Sequence, residues 1–132
     1  VHGKVDLSLL GLEKIPVPFG HISGSFDVRC NQLKNLVNGP ITVLGDYRAT
    51  DNELISLKGH PIKCRNFNVS LNKLKKLNIN NLTCHQLIAS HNQIQSLNLR
   101  KVKCKELYLA NNSLTNLIGS PDNVSILVLD NN

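Results

Sequence analysis

Six asparagines, Asn31, Asn52, Asn72, Asn92, Asn112 and Asn132, recur every 20 or 21 residues, each inside the same apolar frame. A unit that short cannot bury its own apolar face, so units must stack on one another. The chain is therefore a quasi-one-dimensional solenoid rather than a globule around one central core. The frame reads apolar-x-apolar-x-x-Asn-x-Leu-x-x-Leu. Phe26, Val28, Asn31, Leu33 and Leu36 fill it once, and Tyr47, Ala49, Asn52, Leu54 and Leu57 fill it again. It continues through Phe67 to Leu77, Leu87 to Leu97 and Leu107 to Leu117. A first unit, Val5 to Ile15, has Leu10 where Asn belongs and reads as a cap-like turn; a last fragment, Leu127, Leu129 and Asn132, reads as a seventh turn begun but unfinished. The units start near residues 5, 26, 47, 67, 87, 107 and 127 of one domain spanning 1–132.

Alternation of buried and free positions at the start of each frame predicts a short strand with one side buried. Strands one repeat apart stack in register as a parallel sheet, about 4.8 Å between neighbours. Twenty residues leave little room for a helix on the way back. Asn sits where the chain leaves the strand, where its amide can donate to and accept from backbone groups of adjacent turns.

Frame and period together resemble the leucine-rich repeat, LxxLxLxxNxL, over essentially the whole chain. Pro40, Pro61 and Pro121 each lie four residues beyond the last leucine of a frame, and Ile15–Pro16 opens the first return. Proline fixes φ and lacks an N–H, which favours an extended return. This is similar to the short bacterial subclass, including the repeat portions of secreted effectors of the YopM and IpaH kind, and to short repeats of phage-encoded proteins. The resemblance implies a leucine-rich repeat solenoid (horseshoe). Its parallel β-sheet lines the concave face, mostly extended or 3₁₀ returns form the convex face, and there is little α-helix. Most returns lack the full Leu-Pro-x-Leu-Pro and no ligase domain follows, so ubiquitin-ligase activity is not implied.

Aromatics are scarce, which predicts an aliphatic core. Cys64, Cys84 and Cys104 stand 20 apart at a position filled elsewhere by Leu44 and Val124, and read as a ladder of buried thiols acting as small hydrophobes. Without a disulfide framework they point to a cytoplasmic setting, of the producing or an infected host cell. Cys30, at a strand end, is the candidate reactive thiol. The histidines fall at different repeat positions and do not converge. With no GxSxG, HExxH or phosphate loop, the sequence nominates no catalytic, cofactor-binding or metal-ligating residues, and the expectation is a protein that is not an enzyme. The four N-x-S/T sequons, at Asn68, Asn81, Asn111 and Asn123, are by-products of an Asn-rich repeat. No apolar run approaches a membrane span and the start lacks the pattern of a signal peptide, so no membrane partner is expected.

Two readings of function follow from the residues that vary between turns. Side chains between the buried strand positions face the concave surface. One column runs Asp6, Asp27, Arg48, Asn68, Ile88, Tyr108, Val128, and the other Ser8, Arg29, Thr50, Ser70, Ser90, Ala110, Asp130. Charge gives way to small polar residues and then to an apolar run, Ile88, Tyr108 and Val128, which reads as a protein-docking patch anchored by Tyr108. Arg29, Arg48, Thr50, Asn68, Ser70, Ser90 and Asp130 complete the candidate surface, the two arginines selecting an acidic partner. Cover by further residues or a second copy is the structural explanation of the same apolar run. The second reading is binding of nucleic acid or an acidic polymer, through ten Lys and Arg residues between Ile55 and Lys105, a stretch with no Asp or Glu. No aromatic is interleaved among them to stack bases. A third, a structural repeat segment of a larger protein, accounts for the unfinished last unit. The expectation is a non-catalytic module binding another protein on its concave face, in the manner of a bacterial or phage effector or inhibitor.

Overall fold

A computed structural model of the chain, describing residues 1–132, is a parallel β-solenoid of about six turns with no helix of any kind. Its principal sheet has seven strands, β1 (Val5–Asp6), β3 (Phe26–Asp27), β5 (Tyr47–Arg48), β6 (Asn66–Asn68), β9 (Gln86–Ile88), β12 (Glu106–Tyr108) and β13 (Ile126–Val128), stacked in that order. Every pairing is parallel and in the repeat register, as in Phe67 beside Leu87 and Leu87 beside Leu107. Phe26, Val28, Tyr47, Ala49, Phe67, Val69, Leu87, Ala89, Leu107 and Leu109 point inward and are fully buried.

Each Asn staples two turns. The Asn72 Nδ2 donates to Ala49 O of the preceding turn at 3.0 Å and to Val69 O of its own at 2.9 Å, while its Oδ1 accepts the Leu54 N–H at 3.0 Å. The same three-way pattern recurs at Asn52, Asn92, Asn112 and Asn132. Polar groups that stacking would orphan are thereby satisfied, each bond contributing on the order of 1 kcal/mol. Asn31 bonds back to the N–H groups of both Leu10 and Leu12. Leu10 itself does not fill the slot an Asn would take and lies exposed.

The residue before each frame Asn has a positive φ of 55–60°, at Leu9, Cys30, Asp51, Leu71, His91, Asn111 and Asn131. That left-handed kink turns the chain off the strand and aims the next side chain inward. Asn and Asp adopt it readily; leucine does so at a cost of about 1–2 kcal/mol, which the stacked register imposes.

Returns come in two kinds, which the sequence predicted as one. After Leu36, Leu57 and Leu117 the chain makes a tight turn, closed by bonds from Gly39, His60 and Ser120 N–H to the leucine carbonyls at 2.9–3.1 Å. Its third residue is Asn38, Gly59 or Gly119, at φ 74°, 89° and 87°, and proline follows. At Gly59 and Gly119 a Cβ would also run into the carbonyl of Leu36 or Leu97. After Leu77 and Leu97 there is no such turn, and the chain stays extended as β7 (Lys76–Asn78) and β10 (Ser96–Asn98), which pair in parallel. Ile79 and Leu99 are buried there, an alternation with Leu77 and Leu97 that the sequence already displays.

A further ladder closes the turns on the remaining side. It comprises β2 (His21–Ile22) with β4 (Thr42–Val43), and β8 (Leu82–Thr83) with β11 (Val102–Lys103), joined by bridges from Lys63 to Thr42 and Thr83. The inward residues beside this ladder are Ile22, Val43, Cys64, Cys84 and Cys104, all buried. The thiol column is therefore real, but Val43 and not Leu44 continues it. The 21-residue turns carry one extra residue between this ladder and the main sheet, and Leu44, beside that insertion, is 65% exposed.

The expectation of an aliphatic core fails in the N-terminal half. Phe19, Phe26, Tyr47 and Phe67 stack edge to face with centroids 5.0–5.2 Å apart. Few as they are, four of the five aromatics occupy successive turns, because in-register stacking brings residues 20 apart into contact.

Candidate functional site

Backbone register assigns the outward face of the main sheet directly. Asp6, Asp27, Arg48, Asn68, Ile88, Tyr108 and Val128 are consecutive partners across the strands, so the first column stands as aligned from the repeat. Asn68, Ile88, Tyr108 and Val128 are half-buried; of the second column, Ser70 is buried, Thr50 and Ser90 half-buried, and Arg29 and Asp130 exposed. Ser70 Oγ accepts the Ser90 N–H at 3.1 Å, so the serines cross-link turns as well as lining the face.

A third outward column went unread: Ser25, Asp46, Asn66, Gln86, Glu106 and Ile126. It was legible, since with period 2 the residue before an inward side chain faces the same way as the residue after it. This column fixes the electrostatics. Asp46, buried, accepts from Arg48 Nη2 at 2.9 Å, from Arg65 Nε at 2.9 Å and Nη2 at 3.0 Å, and from Asn66 at 3.1 Å. The Arg65 guanidinium above all, with Arg48 and Asn66 adding to it, holds this carboxyl below its ordinary range despite burial. Asp27 is clamped by Arg29 at 2.7 Å. Arg29 is matched by Asp27, whereas Arg48 shares Asp46 with Arg65, so both arginines expected to select an acidic partner already hold a carboxylate of the chain and one positive charge is left over.

Farther along, Glu106 accepts from Gln86 Nε2 and, at 2.9 Å, from Tyr108 Oη, with His85 Nε2 3.8 Å away. The Gln86 and Tyr108 bonds lower the pKa of Glu106, and the bond to Glu106 raises that of Tyr108. The hydroxyl is thus tethered along the sheet. Ile88 and Val128 flank Tyr108 on either side, one strand away. A groove of about 250 Å³ adjoins them, lined by Arg29, Arg48, Thr50, Asn68 and Ile88 together with Asp46 and Gln86. Half of the surface residues read from the sequence thus border one depression, and Tyr108, Val128, Ser90 and Asp130 continue the face toward the C-terminal turns.

The basic stretch does not form one footprint. Lys58 and Lys76 line a polar groove on the side of β7 and β10, whereas Arg100, Lys103 and Lys105 line another beside β8 and β11. Two of the ten cations are matched, Arg65 by Asp46 and Lys73 by Glu53, and eight stand without a carboxylate partner. Cys30 is exposed, but desolvation and the neighbouring Asp51 raise its pKa, which opposes thiolate formation and so the reactive role expected of it. Desolvation pushes the Cys64 thiol up to about 12 and raises Cys84 and Cys104 as well, as befits inert buried groups.

Fold and face define a repeat protein of the parallel β-solenoid class, with a varied outward sheet surface and repeats of about 20 residues. No family model, no curated protein and no solved structure matches the chain. No helix is long and apolar enough to cross a membrane.

Proposed function

We propose that the chain is a non-catalytic module of leucine-rich-repeat type that binds another protein on the outward face of its main sheet. The repeat-type reading is supported by the Asn staples at every turn from Asn31 to Asn132 and by the tight Gly- or Asn-containing turns before Pro40, Pro61 and Pro121. The observation that carries the binding reading is the apolar row Ile88, Tyr108, Val128, side by side in parallel register on a face that is polar and ion-paired in its N-terminal turns. Apolar side chains grouped on such a face gain by exchanging water for a partner. The Tyr108 ring is tethered through Glu106, so little side-chain freedom is lost on docking. With Arg29 held by Asp27 and Arg48 by Asp46, the polar contacts around the row are hydrogen bonds to Asn68, Thr50 and Ser90. In keeping with the resemblance to bacterial and phage repeats, the role proposed is that of an effector or inhibitor acting in a cytosol.

The test is affinity capture of a partner, followed by titration against Tyr108→Ala combined with Ile88→Ser. Loss of a central aromatic and its neighbour is expected to weaken binding by 2 kcal/mol or more, about thirtyfold. Unchanged affinity for the captured protein would sink the proposal.

A further inference from the structure

The groove beside β8 and β11 lies on a different side of the solenoid from the face just described, and its chemistry is different. It encloses about 440 Å³, within the range of small-molecule sites. Its polar wall comprises Thr83, Arg100, Lys103, Lys105, Asp122 and Asn123. Lys103 lies in β11 directly beside Thr83 of β8, and Thr83 is bridged on its other side by Lys63. In backbone register Thr83 therefore stands between two lysine positions, each one strand away, about 4.8 Å. Lys105 follows Lys103 by two residues, just past the end of β11, and lines the same groove.

None of Lys63, Arg100, Lys103 and Lys105 has a carboxylate within 4.0 Å, so no ion pair within the chain occupies them. Asp122 is the one acid on the wall, and three cations against one carboxylate leave the groove at +2. The floor is Cys84, Val102 and Cys104, with no aromatic ring on which a base or sugar could stack. Ammonium and guanidinium groups gathered with a hydroxyl and an amide around one depression suit clustered phosphate oxygens.

We propose that this groove binds the polyphosphate group of a small ligand. Lys103, Lys105 and Arg100 supply the charge, and Thr83 and Asn123 supply neutral donors. Asp122 at the rim weakens the site and caps how much negative charge it accepts.

Titration calorimetry of the full chain with inorganic tripolyphosphate tests this, with ATP and a 20-base-pair DNA duplex as parallel arms. Tripolyphosphate is expected to bind, with affinity falling as salt is added. Lys103→Glu with Lys105→Glu is expected to weaken it at least about tenfold, and Asp122→Asn to strengthen it about threefold, by removing the nearby like charge. The gain from Asp122→Asn cannot come from misfolding, so it guards against a charge-reversed variant that merely unfolds. Binding of ATP no tighter than tripolyphosphate assigns recognition to the phosphates; much tighter binding of ATP, dependent on the same lysines, extends the site to the nucleoside and leaves the phosphate assignment standing. The proposal is overturned if tripolyphosphate does not bind or if either variant leaves its affinity unchanged. It is equally overturned if only the duplex binds, which would make the cations contacts for an extended backbone. Tyr108→Ala with Ile88→Ser should leave tripolyphosphate binding intact, so failure here and failure of the protein-docking proposal are read separately.

Discussion

The two halves of this solenoid share a backbone and differ in almost everything hung on it. Through Phe67 the turns are mostly 21 residues long, the core carries an edge-to-face aromatic stack, and Asp27 and Asp46 form ion pairs with the arginines of this half. Beyond it the turns are a strict 20, Leu87 and Leu107 replace the rings, and thiols fill one corner. The cations of this half mostly stand unpaired. The same Asn staples run through both. The difference teaches that turn-to-turn hydrogen bonding sets the architecture, while side chains are free to specialise one half for packing and internal charge balance and the other for surface chemistry.

The largest effect that could break this comparison lies in the core. Phe67→Ala removes a fully buried ring from the end of the aromatic stack and is expected to cost about 3–5 kcal/mol, against about 2–5 for Leu87→Ala one turn on. Urea unfolding of both variants measures it, and a costlier Leu87→Ala would mean that the aromatic stack adds nothing special.

Next comes the staple that the halves share. Asn72→Ala loses bonds to Ala49 O, Val69 O and Leu54 N–H in a buried setting, with about 1–3 kcal/mol for each group left unsatisfied. Asn112→Ala loses the equivalent set half-buried, where water can replace part of it, so its midpoint in urea should fall by less. Equal losses would show that the column is uniform in strength and that the halves differ only at their surfaces.

The smallest effect is in pH dependence, and it has opposite signs for Asp46 and for the thiols. Asp46 has a lowered pKa in the folded state, so its contribution is present above the unfolded value of about 3.9 and is lost as pH falls through the folded one. The thiols are raised, so unfolded cysteines ionise first: stability is full below about 8.5 and declines as pH climbs toward the folded values, about 12 for Cys64. Asp46→Asn should flatten the acid limb of a stability–pH curve alone, and Cys84→Val the alkaline limb alone. Either substitution flattening both limbs would contradict the assignment.

Much of this was legible beforehand because stacking converts sequence period into spatial adjacency. Knowing only that Ile88, Tyr108 and Val128 are 20 apart sufficed to place them side by side. The lapses have local causes. Leu44 lies beside a one-residue insertion, which the period alone cannot locate within the turn. The second strand at Leu77 to Ile79 was written in alternation but masked by the expectation of proline-type returns. Arg29 and Arg48 look free on a list of outward residues, and only their distances to Asp27 and Asp46 show each already holding a carboxylate of the chain.

The sequence by itself determined the period, and for the main sheet the register and which side chains face in, because the pleat alternates and an in-register parallel stack admits no other assignment there. Only the tertiary structure decided that Lys58 and Lys76 line one groove and Arg100, Lys103 and Lys105 another, which charges are spent within the chain and which kink each turn takes. Those depend on how an individual turn closes, where one inserted residue or one glycine redirects a side chain without disturbing the repeat.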